Sequence, residues 1–150
     1  MNRFINLTNL ELKVFTEQNA SDYCQINNIN QSHILRLDLG YNQLTDISGI
    51  KLFKNLQILS LEKNSLTDIS ILKDLNNIKI LYLGYNKIKD ISVIQYLDNL
   101  EELGLEELEL NSAQINYFNY CKKLKKLYCR NGFKDMSVLD ELNKNIEIIN

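Results

Sequence analysis

Ile34-Leu35-Arg36-Leu37-Asp38-Leu39-Gly40-Tyr41-Asn42-Gln43-Leu44 returns after 22 residues as Leu56-Gln57-Ile58-Leu59-Ser60-Leu61-Glu62-Lys63-Asn64-Ser65-Leu66, and after 22 more as Ile78-Lys79-Ile80-Leu81-Tyr82-Leu83-Gly84-Tyr85-Asn86-Lys87-Ile88. Each copy is followed by one tripeptide, Asp46-Ile47-Ser48, Asp68-Ile69-Ser70 and Asp90-Ile91-Ser92. Agreement over whole repeats excludes coincidence. Leu-x-Leu alternates apolar and polar residues, which marks a short, half-buried strand. The rest of the period has room for a turn and a short 3₁₀ or helical return that carries Ile50 and Phe53, Leu72 and Leu75, or Ile94 and Leu97 inward. Such units cannot bury their apolar faces alone and must stack into a solenoid with a parallel sheet on its concave side.

The asparagines at the ninth position follow from the same stacking. An amide set among leucines costs roughly 1–3 kcal/mol unless hydrogen-bonded. Asn42, Asn64 and Asn86 can bond backbone groups of their own turn and of the neighbouring one, forming a ladder. A group consumed in this way is structural rather than ligand-binding. The chain holds no proline, so Asp and Ser of Asp-Ile-Ser are left to set the bend by bonding nearby backbone groups.

Beyond the third copy the frame persists with changes. Leu100, Leu103 and Leu105 keep it, but Leu108 occupies the asparagine column and Ser112 the aspartate column. The next frame starts at Leu124, so this repeat has 24 residues, and the surplus falls within 112–121. Ser112 as N-cap, Ile115 and Phe118 one turn apart, and Lys122 and Lys123 near the end predict a true short helix there. In the fifth repeat Leu124-x-x-Leu127-x-Cys129 loses one residue before Asn131, and Ile146 and Ile149 restart the frame in an unfinished sixth strand, Ile146 to Asn150. Leu7-x-x-Leu10-x-Leu12 has the spacing of a strand but lies 27 residues before Ile34-x-x-Leu37-x-Leu39, with Phe15 in place of the asparagine. Residues 1–33 therefore read as an irregular N-terminal capping repeat, and residues 34–150 as about five repeats.

On these motifs, residues 34–150 resemble the 22-residue leucine-rich repeats of internalins and of the intracellular leucine-rich-repeat regulators of protein phosphatase-1, the Asp-Ile-Ser tripeptide being the internalin-like feature. The resemblance implies an α/β solenoid: a right-handed horseshoe segment with a parallel concave sheet and a convex side of 3₁₀ or short helices. The motif is highly specific for fold and hardly specific for function; a non-enzymatic protein-interaction module is expected instead from the tyrosines and charges of the concave columns. No proline follows Asp-Ile-Ser, and no signal or anchor is evident, so an internalin's adhesive role is not carried over.

Composition narrows the function. With 150 residues, a formal charge of −2 and a pI near 5.5, the chain lacks the basic field that nucleic acid or anionic lipid requires. The opening residues hold no signal-peptide core, and the odd set Cys24, Cys121 and Cys129 suits a reducing compartment, so a cytoplasmic location is expected. The single histidine, His33, has no catalytic companions, and neither a metal-ligand spacing nor a cofactor motif is present. Cys121 and Cys129 read as core residues.

The period turns the exposed residues into columns. Arg36, Ile58, Ile80, Glu102 and Lys126 form the first, and Asp38, Ser60, Tyr82, Gly104 and Tyr128 the second. Gly40, Glu62, Gly84 and Glu106 form a third, and Tyr41, Lys63, Tyr85 and Glu107 a fourth. Tyrosine among charges is interface composition. Arg36, Asp38, Tyr41, Glu62, Lys63, Tyr82, Tyr85, Glu106 and Tyr128 are therefore the expected contacts with a protein or peptide partner. The other reading is a structural role, with weak self-association through the open C-terminal edge. Lys122-Lys123-Leu124-Lys125-Lys126 and Glu101, Glu102, Glu106, Glu107 and Glu109 face one another across strands, Glu101 beside Lys125 and Glu102 beside Lys126, and read as mutually neutralising.

Overall fold

The structure is a computed structural model that describes residues 3–142 and 145–150. Seven three-residue strands lie side by side in chain order in one parallel sheet: β1 (Phe4–Asn6), β2 (Arg36–Asp38), β3 (Ile58–Ser60), β4 (Ile80–Tyr82), β5 (Glu102–Gly104), β6 (Lys126–Tyr128) and β7 (Glu147–Ile149). Between strands the chain returns through 3₁₀ segments, such as Ser48–Leu52, Ser70–Asp74 and Ser92–Tyr96. An α-helix, α1 (Glu17–Ile26), takes that place in the first repeat. This is the leucine-rich-repeat solenoid that the 22-residue period implies.

Packing follows the columns. Leu37, Leu59, Leu81 and Leu103 stack in register at the centre of the sheet, and Leu39, Leu61, Leu83 and Leu105 back them, all fully buried. Ile50, Leu72 and Ile94 close the core from the 3₁₀ side. With few residues per strand, the sheet contributes little on its own, and burial of this continuous apolar column is the main stabilising term.

The asparagine ladder is present as expected. Asn64 Nδ2 donates to Leu39 O and Leu61 O, both at 3.0 Å, while its Oδ1 accepts from Leu44 N at 2.9 Å. Asn86 repeats this with Leu61 O, Leu83 O and Leu66 N. Asn42 reaches into the first repeat, donating to Leu7 O and accepting from Leu10 N and Leu12 N. The aspartates turn the chain into the 3₁₀ segments, Asp46, Asp68 and Asp90 accepting from Ser48 N, Ser70 N and Ser92 N at 2.7–2.8 Å. A second ladder runs along the far turn, where Asn55, Asn77 and Asn99 each donate to a carbonyl of the preceding repeat, Ser32 O, Lys54 O and Asn76 O. These three asparagines share the same 22-residue period.

Four local expectations are corrected. The first strand is Ile5-x-Leu7, not Leu7-x-x-Leu10-x-Leu12, because Ile5 pairs with Leu37. Leu10 thus stands in the asparagine column, and Val14-Phe15-Thr16 occupies the Asp-Ile-Ser place, Val14 bridging to Asp46 and Phe15 N donating to Asp46 O. The first repeat is long because it accommodates the 10 residues of α1, whose N-cap Thr16 is locked reciprocally with Asn19. A Cβ at Gly49 would lie 2.5 Å from Thr16 O. Glycine there lets the chain entering α1 pack against the next repeat.

In the fourth repeat the expected α-helix is a 3₁₀ run, Ser112–Tyr120, and its cap is Asn111, whose side chain accepts from Ala113 N. Ile115 and Phe118 do face inward, since spacing by three suits a 3₁₀ turn as well as an α one. In the fifth repeat Asn131 is not a ladder residue. It has φ 51° and donates to the Glu107 carboxylate, and Gly132 follows it in the asparagine column. The final strand is Glu147–Ile149, seventh rather than sixth, and Ile148 rather than Ile149 pairs with Leu127. A residue lost after Gly132 shifts the frame by one. Cys24, Cys121 and Cys129 are buried and unlinked, as core residues should be.

Leu108, fully buried in the asparagine column, demonstrates that a leucine fits there sterically. Asn64→Leu should therefore isolate the hydrogen bonds, leaving Leu44 N without its acceptor while Leu39 O and Leu61 O keep the amides of Asn42 and Asn86. The expected cost is about 1–3 kcal/mol, measured by urea denaturation against the parent chain.

Candidate interaction surface

The strand face carries the first two columns outward, since alternate residues of each strand point away from the core. The column after it is set by backbone conformation. Tyr41, Lys63, Tyr85 and Glu107 all have φ between 54° and 58°, the left-handed region, and among the described residues no glycine does. Gly40 and Gly84 have ordinary φ and are small for another reason: a Cβ at Gly84 would lie 2.8 Å from Glu106 Oε2, and one at Gly40 3.2 Å from Ser60 Oγ. The left-handed turn throws the fourth column into a ridge beside the sheet.

Along this ridge the side chains touch from repeat to repeat. Lys63 Nζ sits between two rings, 4.4 Å from the Tyr41 centroid and 5.1 Å from that of Tyr85. Each cation–π contact stabilises by about 0.5–1 kcal/mol at an exposed site. The Tyr85 hydroxyl then accepts from Arg130 Nη2, and Arg130 Nε lies 3.4 Å from Glu107 Oε1. Tyr41, Lys63, Tyr85, Arg130 and Glu107 thus form one chain of contacts.

The sheet face is organised around a second aromatic pair. Tyr82 and Tyr128 meet edge-on, centroids 6.0 Å apart, across the strand that carries Gly104. A Cβ there would lie 2.8 Å from Tyr82 Cδ1. Arg36 Cζ lies 4.8 Å over the Phe4 ring and 3.8 Å by Nη2 from Asp38, and Lys126 lies 3.7 Å from Glu102. Lys125 pairs with Glu101, so the expected neutralisation across strands holds for Glu101 and Glu102, whereas Glu106 and Glu109 form no salt bridge among the described residues. A cavity of about 210 Å³ opens between Tyr85, Glu106, Tyr128, Arg130, Ile149 and Asn150.

Of the nine predicted contact residues, six lie along the sheet face (Arg36, Asp38, Glu62, Tyr82, Glu106 and Tyr128) and three on the ridge (Tyr41, Lys63 and Tyr85). Arg130 and Phe4 join them without having been expected. Arg130 continues the column Gly40, Glu62, Gly84, Glu106 and is within reach of counting, whereas Phe4 is hidden by the misplaced first strand. Burial and neighbouring carboxylates both act on the titratable groups of this face, with Lys63 opposing them at Glu62. Burial, then Glu106 and Asp38, raise the Glu62 carboxyl above its ordinary value. Burial, then Glu102, push the Tyr82 hydroxyl to about 12, and burial, then Glu106, push the Cys129 thiol to about 11. Among the described residues no group of three metal-ligating side chains converges.

The repeat geometry is shared with known proteins. Two overlapping copies of the leucine-rich-repeat family model match residues 32–74 and 54–96. An internalin of Listeria monocytogenes is 28% identical with a TM-score of 0.70, the match covering 79% of this chain and 35% of that one. A leucine-rich-repeat protein of Leptospira interrogans is 22% identical at TM-score 0.75, over 97% of this chain and 36% of that one. A plant peptide hormone receptor, in complex with RGF2, is 21% identical at TM-score 0.55, over 85% of this chain and 28% of that one. The chain thus spans about a third of the length of the first two. No curated protein matches it in sequence. Structurally the chain is a repeat solenoid with an open parallel sheet. Over residues 32–96 its repeats are leucine-rich repeats, and the solved structures it resembles include leucine-rich-repeat proteins. Such domains generally mediate protein–protein interaction.

Glu62 supplies a test of these effects. Its raised pKa means that the folded chain holds a proton more tightly than the unfolded chain, so ionised Glu62 lowers stability above the folded pKa and ceases to do so below the unfolded one. Glu62→Gln should match or exceed the parent in thermal unfolding at neutral pH. That advantage should shrink as pH falls through the carboxylate range.

Proposed function

We propose that the chain is a non-enzymatic, intracellular interaction module that binds a protein or peptide partner through its concave strand face and the adjoining ridge. The observation that carries this reading is the left-handed backbone at Tyr41, Lys63 and Tyr85. A side chain with a Cβ costs roughly 1–2 kcal/mol there, and Gly or Asn would cost less. Large residues held at such a price in a strained column, with Tyr41 47% exposed, point to a surface selected for contact. Tyrosine contributes ring area and a hydroxyl at small entropic cost, as binding surfaces require. The plant receptor of the same fold was solved with RGF2 bound, an instance of the use suggested here.

Exchanging both ridge tyrosines, Tyr41→Asn and Tyr85→Asn, separates binding from folding. Asparagine tolerates the left-handed conformation, so thermal stability should stay within about 1 kcal/mol of the parent, the lost cation–π contacts offsetting the relieved strain. Affinity capture with quantitative mass spectrometry should show a partner retained by the parent and lost by the variant. Equal retention by both would remove the ridge from the binding surface.

A further inference from the structure

The cations that border the strand face are already engaged. Arg36 lies against Asp38 and the Phe4 ring, Lys126 against Glu102, Arg130 against Glu107 and the Tyr85 hydroxyl, and Lys63 between two rings. Glu62 and Glu106 have no salt-bridge partner among the described residues. They share one column, separated by Gly84, over which the Glu106 carboxylate folds. Beside them stand the edge-packed rings of Tyr82 and Tyr128. The face therefore presents aromatic walls and an excess of negative charge that no ion pair among the described residues neutralises.

We propose that this face docks an extended partner segment carrying basic side chains three residues apart, the aliphatic stems lying on Tyr82 and Tyr128 and the cationic heads meeting Glu62 and Glu106. The proposal rests on the interaction reading above and adds the partner's chemistry. Spacing follows from geometry. Glu62 and Glu106 belong to alternate repeats, their backbones two strand intervals or about 9.6 Å apart, with the Glu106 carboxylate leaning back over Gly84. A polyproline-II segment running along the stack returns to the same face every three residues, about 9.3 Å, whereas alternate residues of a β-strand are only about 6.6 Å apart. Lysine or arginine is suited to such a groove because its stem packs on rings while its charge reaches a carboxylate. An acidic or phosphorylated segment would meet like charge that Lys63 only partly offsets at Glu62, which disfavours it.

Fluorescence anisotropy with labelled synthetic peptides tests this, using matched Lys-x-x-Lys, Lys-x-Lys and Glu-x-x-Glu series on the full chain. The Lys-x-x-Lys series should bind, weaken as salt rises, and lose about tenfold or more in affinity on the double variant Glu62→Gln/Glu106→Gln. Thermal unfolding of that variant, expected to be unimpaired, guards against a folding defect. Binding of the acidic series as tightly as the basic one, unchanged affinity in the double variant, or no binding by any series would overturn the proposal. If no peptide binds while the ridge variant still loses a captured partner, the assigned charge is wrong and the interaction reading stands. If capture is also unaffected, both fall.

Discussion

Each ladder asparagine joins backbone groups of two successive turns, and the continuity of the solenoid depends on that bond set. A leucine column alone would hold the repeats together without fixing their register, because apolar contact is non-directional. The amide adds direction: Asn64 Nδ2 reaches Leu39 O in the repeat before its own, and its Oδ1 takes Leu44 N of that same repeat. Where Leu108 interrupts the column, other side chains take up local backbone groups. Lys89 Nζ donates to Leu108 O, and Gln114 Oε1 accepts from Ile91 N. The fourth repeat is thus irregular in sequence yet remains in register with its neighbours.

The turn that holds the ladder also shapes the candidate surface. For the residue in the asparagine column to turn inward directly after an outward one, the chain must bend, and the residue before it takes the left-handed conformation, at Glu107 before Leu108 as at Tyr41 before Asn42. Tyr41, Lys63 and Tyr85 inherit their common orientation from that bend. The ridge is accordingly part of the fold's rigid frame rather than a flexible loop, which lowers the entropy lost when a partner binds.

Much of this architecture is legible in the sequence, for a physical reason: in a solenoid, position in the period is position in space. The Leu37, Leu59, Leu81 and Leu103 register, the amide ladder and the pairing of Glu101 with Lys125 all follow from counting. Counting fails wherever the period changes without a marker. Leu7, Leu10 and Leu12 mimic a strand because the true frame, Ile5 and Leu7, is displaced by a helix that apolar spacing does not reveal. Ile149 and Ile148 are equally apolar, so only the single-residue loss after Gly132 decides between them, and sequence cannot place a gap inside a turn. The ridge's left-handed backbone is equally hidden, since tyrosine and lysine signal nothing of the kind and the adjacent glycines point to the wrong residue.

The size of the strand face limits what can rest on it. Six intervals between seven strands span roughly 29 Å, and an exposed width of about 10–13 Å gives roughly 290–380 Å². A standard interface uses about 800 Å² on each side, so a globular partner resting on the strand face alone would be short of contact. Two routes make up the difference: broadening the footprint onto the Tyr41–Lys63–Tyr85 ridge, or binding a segment narrow enough that most of its own surface is covered. Both favour a slender occupant lying along the stack, in contact with strand face and ridge together. A narrow ligand also has fewer groups with which to achieve selectivity, which raises the weight of the few charges it meets. On this face those charges are Glu62 and Glu106, and what discriminates one extended segment from another is their spacing rather than the area around them.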